Sequence, residues 1–309
     1  MAPERLPCNS EPLSCQIIVG GYPALFISDG RCDGMKLSLS VRIAEAACKT
    51  KLNVPFRELV HLARELGYRA ICMRASAGGV GTPVGDLESM RRDVEDAGLV
   101  VSMVTADSDV PLNNDDGPNC LRQIGASLDV AEALGCNLIR VCLKKPSDTD
   151  DARRAAEQAA ERGIRLAHQC HTTTLFEQID RSLHWLEQIG CDNFGLIYEP
   201  ANLMLCNESY DVKGLEQLKP WIMNVYVQNH RLADDGPVTL ETWCVGVRRF
   251  HHIPIWEKGG VDFDSVIHGL NVIGYEGYFT VHQAYAEIMG PREAAVESSR
   301  YLTSFGCFD

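Results

Sequence analysis

Six times along this chain a helix-like segment stops at a glycine and an apolar, β-rich run follows at once. The stops are Gly67, Gly98, Gly135, Gly163, Gly190 and Gly274. Glycine is the residue that most readily takes the left-handed position just past a helix end. The apolar residues before each stop recur at helical spacing, as in Leu59, Leu62, Ala63 and Leu66. Each repeat is therefore a helix feeding a strand. The first five stops are 31, 37, 28 and 27 residues apart, the size of one βα unit. Counted through, the pattern predicts eight strands near residues 37–41, 69–74, 99–104, 137–143, 164–169, 194–199, 221–228 and 277–282. Helices are expected near 55–66, 85–97, 118–134, 149–162, 174–189, 211–218, 263–273 and 291–304. Eight alternating units close into a (β/α)8 TIM barrel more naturally than they open into a sheet. The doubly wound alternative lacks its marker, since no G-x-G-x-x-G follows the first strand. The glycine-rich stretch at 77–81 (AGGVG) lacks that spacing and a P-loop lysine, and reads as a βα loop.

Two segments fall outside the repeat. Residues 1–35 show no period and are expected to be a poorly ordered or loosely packed extension. Met35 stands directly before the first strand and is an alternative start. The barrel domain is placed at 36–309, with an insertion at about 229–260 whose Trp243, His251, His252 and Trp256 suggest an ordered cover over a pocket.

Composition narrows the function. A net charge of −13 disfavours non-specific nucleic-acid or anionic-membrane binding. No apolar stretch approaches the roughly 20 residues that span a bilayer, and the first residues lack the order of a secretory signal. The 13 cysteines are odd in number and scattered without a C-x-x-C pair, which argues for reduced thiols and a cytoplasmic setting.

Four apolar runs in the second half end in polar residues able to meet a metal or a substrate. Residues 164–167 lead into His168, Gln169, Cys170 and His171. Residues 194–198 lead into Glu199 and, three further on, Asn202. Residues 222–227 lead into Gln228 and His230, and residues 278–281 into His282 and Gln283. In a (β/α)8 barrel the chemistry gathers at the carboxyl ends of the strands. Glu199 is the strongest single candidate, because a carboxylate ending a buried strand needs a cation or hydrogen-bond donors; a capping or salt-bridged role is its alternative. Side chains alternate along a strand, so either His168 and Cys170 or Gln169 and His171 point inward, not both pairs. Arg74, at the end of the second strand, suits a substrate carboxylate or phosphate. Trp256 and Gln283 are expected to touch substrate as well. Imidazole with carboxylate and amide oxygen suits Mn²⁺, Co²⁺ or Zn²⁺.

The segment 163–283 resembles the sugar phosphate isomerase/epimerase family, the xylose-isomerase-like barrels. The stretches that carry the likeness are RLAHQCH, FGLIYEPANLML, WIMNVYVQNH and GGVDFDSVIHGLNVIGYEGYFTVHQ. The resemblance implies one divalent metal held by Glu, Asp, His and a second Glu. Matched by position, these fall on Gln169, Glu199, Tyr226 and His282, so only Glu199 keeps a charge, and the resemblance implies a metal held by Gln169, Glu199 and His282 with His230 or Gln228. Two-base epimerisation needs a carboxylate where Gln169 stands, and an amide cannot accept a proton. The resemblance therefore implies one-base chemistry by Glu199 or His282: aldose–ketose isomerisation, or elimination next to a carbonyl, on a keto-sugar or cyclic polyol. The alternative is a non-catalytic sugar-binding or partner subunit on the same barrel. A DNA-repair activity of the abasic-endonuclease type is disfavoured by the charge. The implied partner is a small carbohydrate, not nucleic acid or membrane, and self-association into a homo-oligomer is compatible with such a chain.

Overall fold

All six glycines expected to stop a helix adopt the left-handed conformation, with φ between 64° and 81°. The computed structural model describes residues 34–105, 115–286 and 288–309. The expectation for the extension therefore lies outside the described residues, apart from Gly34 and Met35. Met35 is fully buried and pairs with Phe308.

Eleven strands occur among the described residues: β1 Lys36–Ser40, β2 Ala70–Cys72, β3 Val100–Thr105, β4 Leu138–Val141, β5 Arg165–Gln169, β6 Phe194–Tyr198, β7 Ile222–Val227, β8 His230–Leu232, β9 Val238–Thr242, β10 Gly246–His252 and β11 Tyr278–Val281. The α-helices are α1 Phe56–Glu65, α2 Val84–Asp96, α3 Asn119–Arg122, α4 Ile124–Ala133, α5 Asp148–Glu161, α6 Ile179–Ile189, α7 Pro200–Leu205, α8 Val212–Leu218, α9 Phe263–Val272 and α10 Pro291–Thr303. Eight strands form a closed barrel in the order β1-β11-β7-β6-β5-β4-β3-β2. All its pairings are parallel, and closure is made by Leu37 opposite Phe279 and Leu39 opposite Val281. The (β/α)8 barrel expected from the repeat is the fold.

Two departures have local causes. The helix expected over 118–134 breaks at Gln123, whose φ of −115° and ψ of 29° lie outside the helical well. The helix expected from 174 starts at 179, because Thr174 Oγ1 donates to the His171 carbonyl and accepts from the Phe176 N–H. Such side-chain bonds offer the backbone an alternative to the helix ladder. The insertion is a three-stranded antiparallel sheet in the order β8-β10-β9.

Period-two alternation decides what each barrel strand presents inward. The interior holds a cluster of Cys72, Met103, Leu138, Ala167, Ile197 and Tyr226. Their neighbours Ile71, Val104, Ile139, Leu166, Leu196 and Val225 belong instead to the apolar layer between strands and helices. Fully burying one such aliphatic side chain is worth about 1.5–3 kcal/mol, so a one-residue slip of any strand is strongly opposed.

Candidate active site at the barrel mouth

Extending the inward parity past each strand end reaches the polar residues of one cavity. Ser40 leads to Arg42, Cys72 to Arg74, and Leu138 to Arg140. Ala167 leads to Gln169 and His171, Tyr226 to Gln228 and His230, and Thr280 to His282. These residues, with Asn202 from α7, line a cavity of about 280 Å³. Its remaining walls are Lys49 from the β1–α1 connection and Val238, Leu240, Phe250 and His252 from the inserted sheet. Ile197 leads by the same rule to Glu199, which is fully buried and lies beneath the lining.

Glu199 is enclosed by amides. Asn202 Nδ2 donates to its Oε2 at 2.9 Å, and Gln169 and Gln228 each donate a side-chain N–H to one of its oxygens. Burial pushes its carboxyl up to about 8, against the pull of Arg42, Gln228 and Arg140. The sequence suggested a surviving negative charge here; desolvation shifts the group toward its neutral acid, while the three amide N–H donors favour the anion. The folded state thus holds a proton that the unfolded chain releases near its ordinary value of 4.5. Stability falls as pH rises through that window, because the unfolded state binds fewer protons. Glu199→Gln is expected to remove this slope. Melting temperatures at pH 5 and pH 9 should converge in the variant, and an unchanged difference would place the titration elsewhere.

His282 is 1 % exposed and faces the cavity. It stacks on Tyr226 with ring centroids 3.7 Å apart and planes within 7°. Arg74 Nη1 lies 3.4 Å from its Nε2, and Ser40 Oγ lies 3.1 Å from its Nδ1. A guanidinium only donates, so Nε2 is the acceptor and Nδ1 carries the proton. Burial first, then Arg42, Arg74 and Arg140, hold this imidazole well below its ordinary range. His171 is pulled down to about 3 by burial and by Arg140. His230 and His252 face each other across the inserted sheet, Nδ1 to Nδ1 at 3.1 Å. Burial lowers both, His252 to about 4. The mouth of this acidic protein thus combines neutral imidazoles with four basic side chains. Arg74 is paired with Glu45 at 2.6 Å, and Ser76 Oγ donates to the same carboxylate oxygen.

Three residues expected to bind substrate lie elsewhere. His168 has the outward parity of β5 and stacks on Phe176 at 4.1 Å. Gln283 accepts from the Asn229 N–H at 3.0 Å and donates to the Ile253 carbonyl at 2.6 Å, stitching the insertion to the barrel. Trp256 stacks on Tyr285 at 6.1 Å, away from the lining. Sequence reading missed Arg42 and Lys49, and placed His252 only within the insertion expected to cover the pocket. Arg42 carried a usable signal: it continues the parity of Ser38 and Ser40.

The four residues expected as metal ligands do not form a ligand set. Both Glu199 oxygens already accept amide N–H groups. His282 Nε2 faces a guanidinium and His230 Nδ1 faces His252. Among the described residues, the group that brings three His, Cys or carboxylate ligand atoms within 4.8 Å is Glu177, Cys206 and Cys244. There the carboxylate is also engaged: Glu177 accepts from the backbone N–H groups of Thr173, Trp243 at 2.8 Å and Cys244 at 3.0 Å. Neither place suits a divalent ion as arranged.

Glu177 instead tethers the β9–β10 turn, and with it the wall of the cavity. Glu177→Ala would take the acceptor from these part-buried N–H groups, at up to about 1–3 kcal/mol for each that water cannot reach. Hydrogen exchange at residues 243–245 is expected to accelerate, while the amides of β6 and β7 stay protected.

A model of the family described as "Xylose isomerase-like TIM barrel" matches residues 60–305. No curated protein sequence matches the chain. Among solved structures, the probable 3-DHS dehydratase AsbF from Bacillus anthracis superposes with a TM-score of 0.66 at 18% identity, covering 87% of this chain and 99% of that one. A xylose isomerase domain protein from Planctomyces limnophilus gives 0.67 at 15% identity, with 88% and 96% covered. D-psicose 3-epimerase, solved in the presence of D-fructose, gives 0.62 at 10% identity, with 88% and 99% covered. Other barrels of this fold were solved with magnesium and with zinc. At these identities the structures establish a shared fold, and the match across most of the sequence establishes that the chain belongs to the xylose isomerase-like TIM barrel family.

Proposed function

We propose that this protein is an isomerase or lyase acting on a small polyhydroxylated carbonyl compound, such as a keto-sugar or cyclic polyol derivative, at the barrel mouth. The observation that carries the reading is the convergence of Gln169, His171, Asn202, Gln228, His230 and His282 on one cavity. Amides and neutral imidazoles can donate to and accept from hydroxyls, and the cavity is large enough for a sugar-sized molecule.

The chemistry proposed is proton removal from carbon next to a carbonyl, with His282 Nε2 as acceptor once the substrate's oxygen draws Arg74 Nη1 away from it. Negative charge then develops on the carbonyl oxygen. Arg74 and Arg140 stand at the same cavity to stabilise it, the task of preorganised cationic donors in a site screened from water. Passing the neighbouring hydroxyl's proton to the enolate oxygen, and returning the proton held by His282 to the former carbonyl carbon, completes an isomerisation; giving that proton to a departing β-hydroxyl, which leaves as water, completes a dehydration. Glu199 acts through the amides: it fixes Gln169, Gln228 and Asn202 in the orientation that meets substrate hydroxyls. A divalent metal, as in other barrels of the fold, would supply Lewis acidity, but it would have to displace these amide contacts, and no step here runs through one.

The test is a panel of keto-sugars and inososes followed by proton NMR in D₂O, with chelator and with added Mn²⁺. Solvent deuterium entering the carbon next to the carbonyl is expected. Absence of exchange and turnover across the panel under both conditions would end the enzymatic reading and favour the sugar-binding alternative.

A further inference from the structure

A second cavity of about 340 Å³ adjoins the first, and the two share Arg42, Lys49, Val238 and His252. The inner lobe is polar; the outer one is walled by small apolar side chains including Ala46, Ala47 and Ala284, with Glu45 and His251 also in its lining. Two basic residues therefore stand at the waist between lobes. We propose that this waist is an anion subsite, and that the molecule handled at the mouth carries a carboxylate or phosphate group held by the Arg42 guanidinium and the Lys49 ammonium. The inference rests on the mouth being a substrate site and adds the charge class of what enters it.

Arg42 is the main support. Its Nε is buried and has no hydrogen-bond partner among the described residues. A buried donor left without an acceptor is a rarity that calls for an explanation, and a ligand oxygen supplies one. The nearby carboxylate of Glu45 is taken by Arg74 and Ser76. Burial and the neighbouring Arg74 pull Arg42 down to about 10, and partial burial with Arg42 and Arg74 pulls Lys49 down as well. A bound anion relieves both effects at once.

Lys49 adds an independent observation. It is a non-glycine residue at φ 60°, a left-handed conformation that L side chains rarely adopt. The turn is held by Lys49 N–H donating to the Ala46 carbonyl at 2.8 Å and Ala46 N–H to the Lys51 carbonyl at 3.0 Å. Strained backbone of this kind concentrates where a side chain must be presented to a ligand. The helical turn bearing Arg42 is fixed at its start by Ser40 Oγ, which accepts from the Arg42 N–H and also contacts His282. The waist and the proposed proton acceptor are thus built on the same residue.

Calorimetric titration of the full chain in low-salt Tris, with inorganic phosphate, gluconate and neutral glucose in separate runs, tests this. At least one anion is expected to bind saturably and at least about tenfold more tightly than glucose, the ratio expected when hydrogen bonds to a charged group are added. Stronger phosphate binding would identify a phosphate ester as the natural ligand, and stronger gluconate binding a carboxylate. Arg42→Gln and Lys49→Ala should each weaken the anion by about tenfold or more; Lys49 sits in an exposed turn, so its variant is expected to fold normally, checked by circular dichroism. The proposal is overturned if neither anion saturates, if glucose binds as well as both, or if the Lys49 variant binds anions like the parent. Binding is read without turnover, so a silent keto-sugar panel with intact anion binding would sink the reaction and leave the subsite standing. Turnover of neutral sugars without anion binding would do the reverse.

Discussion

His282→Asn is expected to lower kcat by about 10²- to 10⁴-fold on whichever substrate the panel identifies, the usual contribution of a positioned acid–base group. Asparagine can keep a donor toward Ser40 and fill part of the space over Tyr226, so the fold should survive. What it lacks is the acceptor nitrogen that Arg74 approaches at 3.4 Å. The loss should fall on kcat more than on KM, because the imidazole is assigned a role in the reaction step and not in holding the ground state. Glu199→Gln makes the contrast. A protonated Glu199 and a glutamine are both neutral and nearly isosteric, and turning the Gln228 amide by about 180° lets its oxygen accept from the new NH2. If His282→Asn left kcat intact while Glu199→Gln abolished it, the roles given to these two residues would be reversed.

Glu45→Ala is expected to destabilise the fold by about 3–5 kcal/mol, the cost of breaking a buried ion pair by removing one partner. Both side chains of the Glu45–Arg74 pair are only 3% exposed. Without the carboxylate, the Arg74 guanidinium would remain desolvated beside Arg42, and Ser76 Oγ would lose its acceptor. A barrel of this size should lose on the order of 10 °C in melting temperature. Urea unfolding with an unchanged m-value would show that the native state, not the unfolded chain, was affected. A loss below about 1 kcal/mol would mean that the pair behaves like a solvent-screened surface bridge.

The eight strands and their helices were legible because their signals are local. A left-handed glycine after an amphipathic stretch, then a short apolar run, marks each junction within a dozen residues. Gly67 through Gly274 did so at all six predicted stops. The carboxyl-end location of the polar residues was legible for the same reason. The parity of those ends was not. Strands of a parallel barrel are apolar on both faces, so nothing near His168 says that it faces Phe176 while Gln169 faces the cavity. Once Ala167 is seen inside the barrel, the choice is forced.

Charge states and company were further out of reach. Glu199 reads as an anion in any one-dimensional account. Its carboxyl is pushed toward the neutral acid because strands β5, β6 and β7 and helix α7 together exclude water around it. Arg42, Lys49, Arg74 and Arg140 are separated by up to 98 residues and by stretches of acidic sequence, and no spacing rule joins them. Barrel closure between β1 and β11 brings Arg42 to His282. Secondary structure and strand-end polarity follow from neighbours along the chain. Which side chains share a cavity, and which of them carry charge there, follow from a closed sheet whose long-range contacts set both geometry and desolvation.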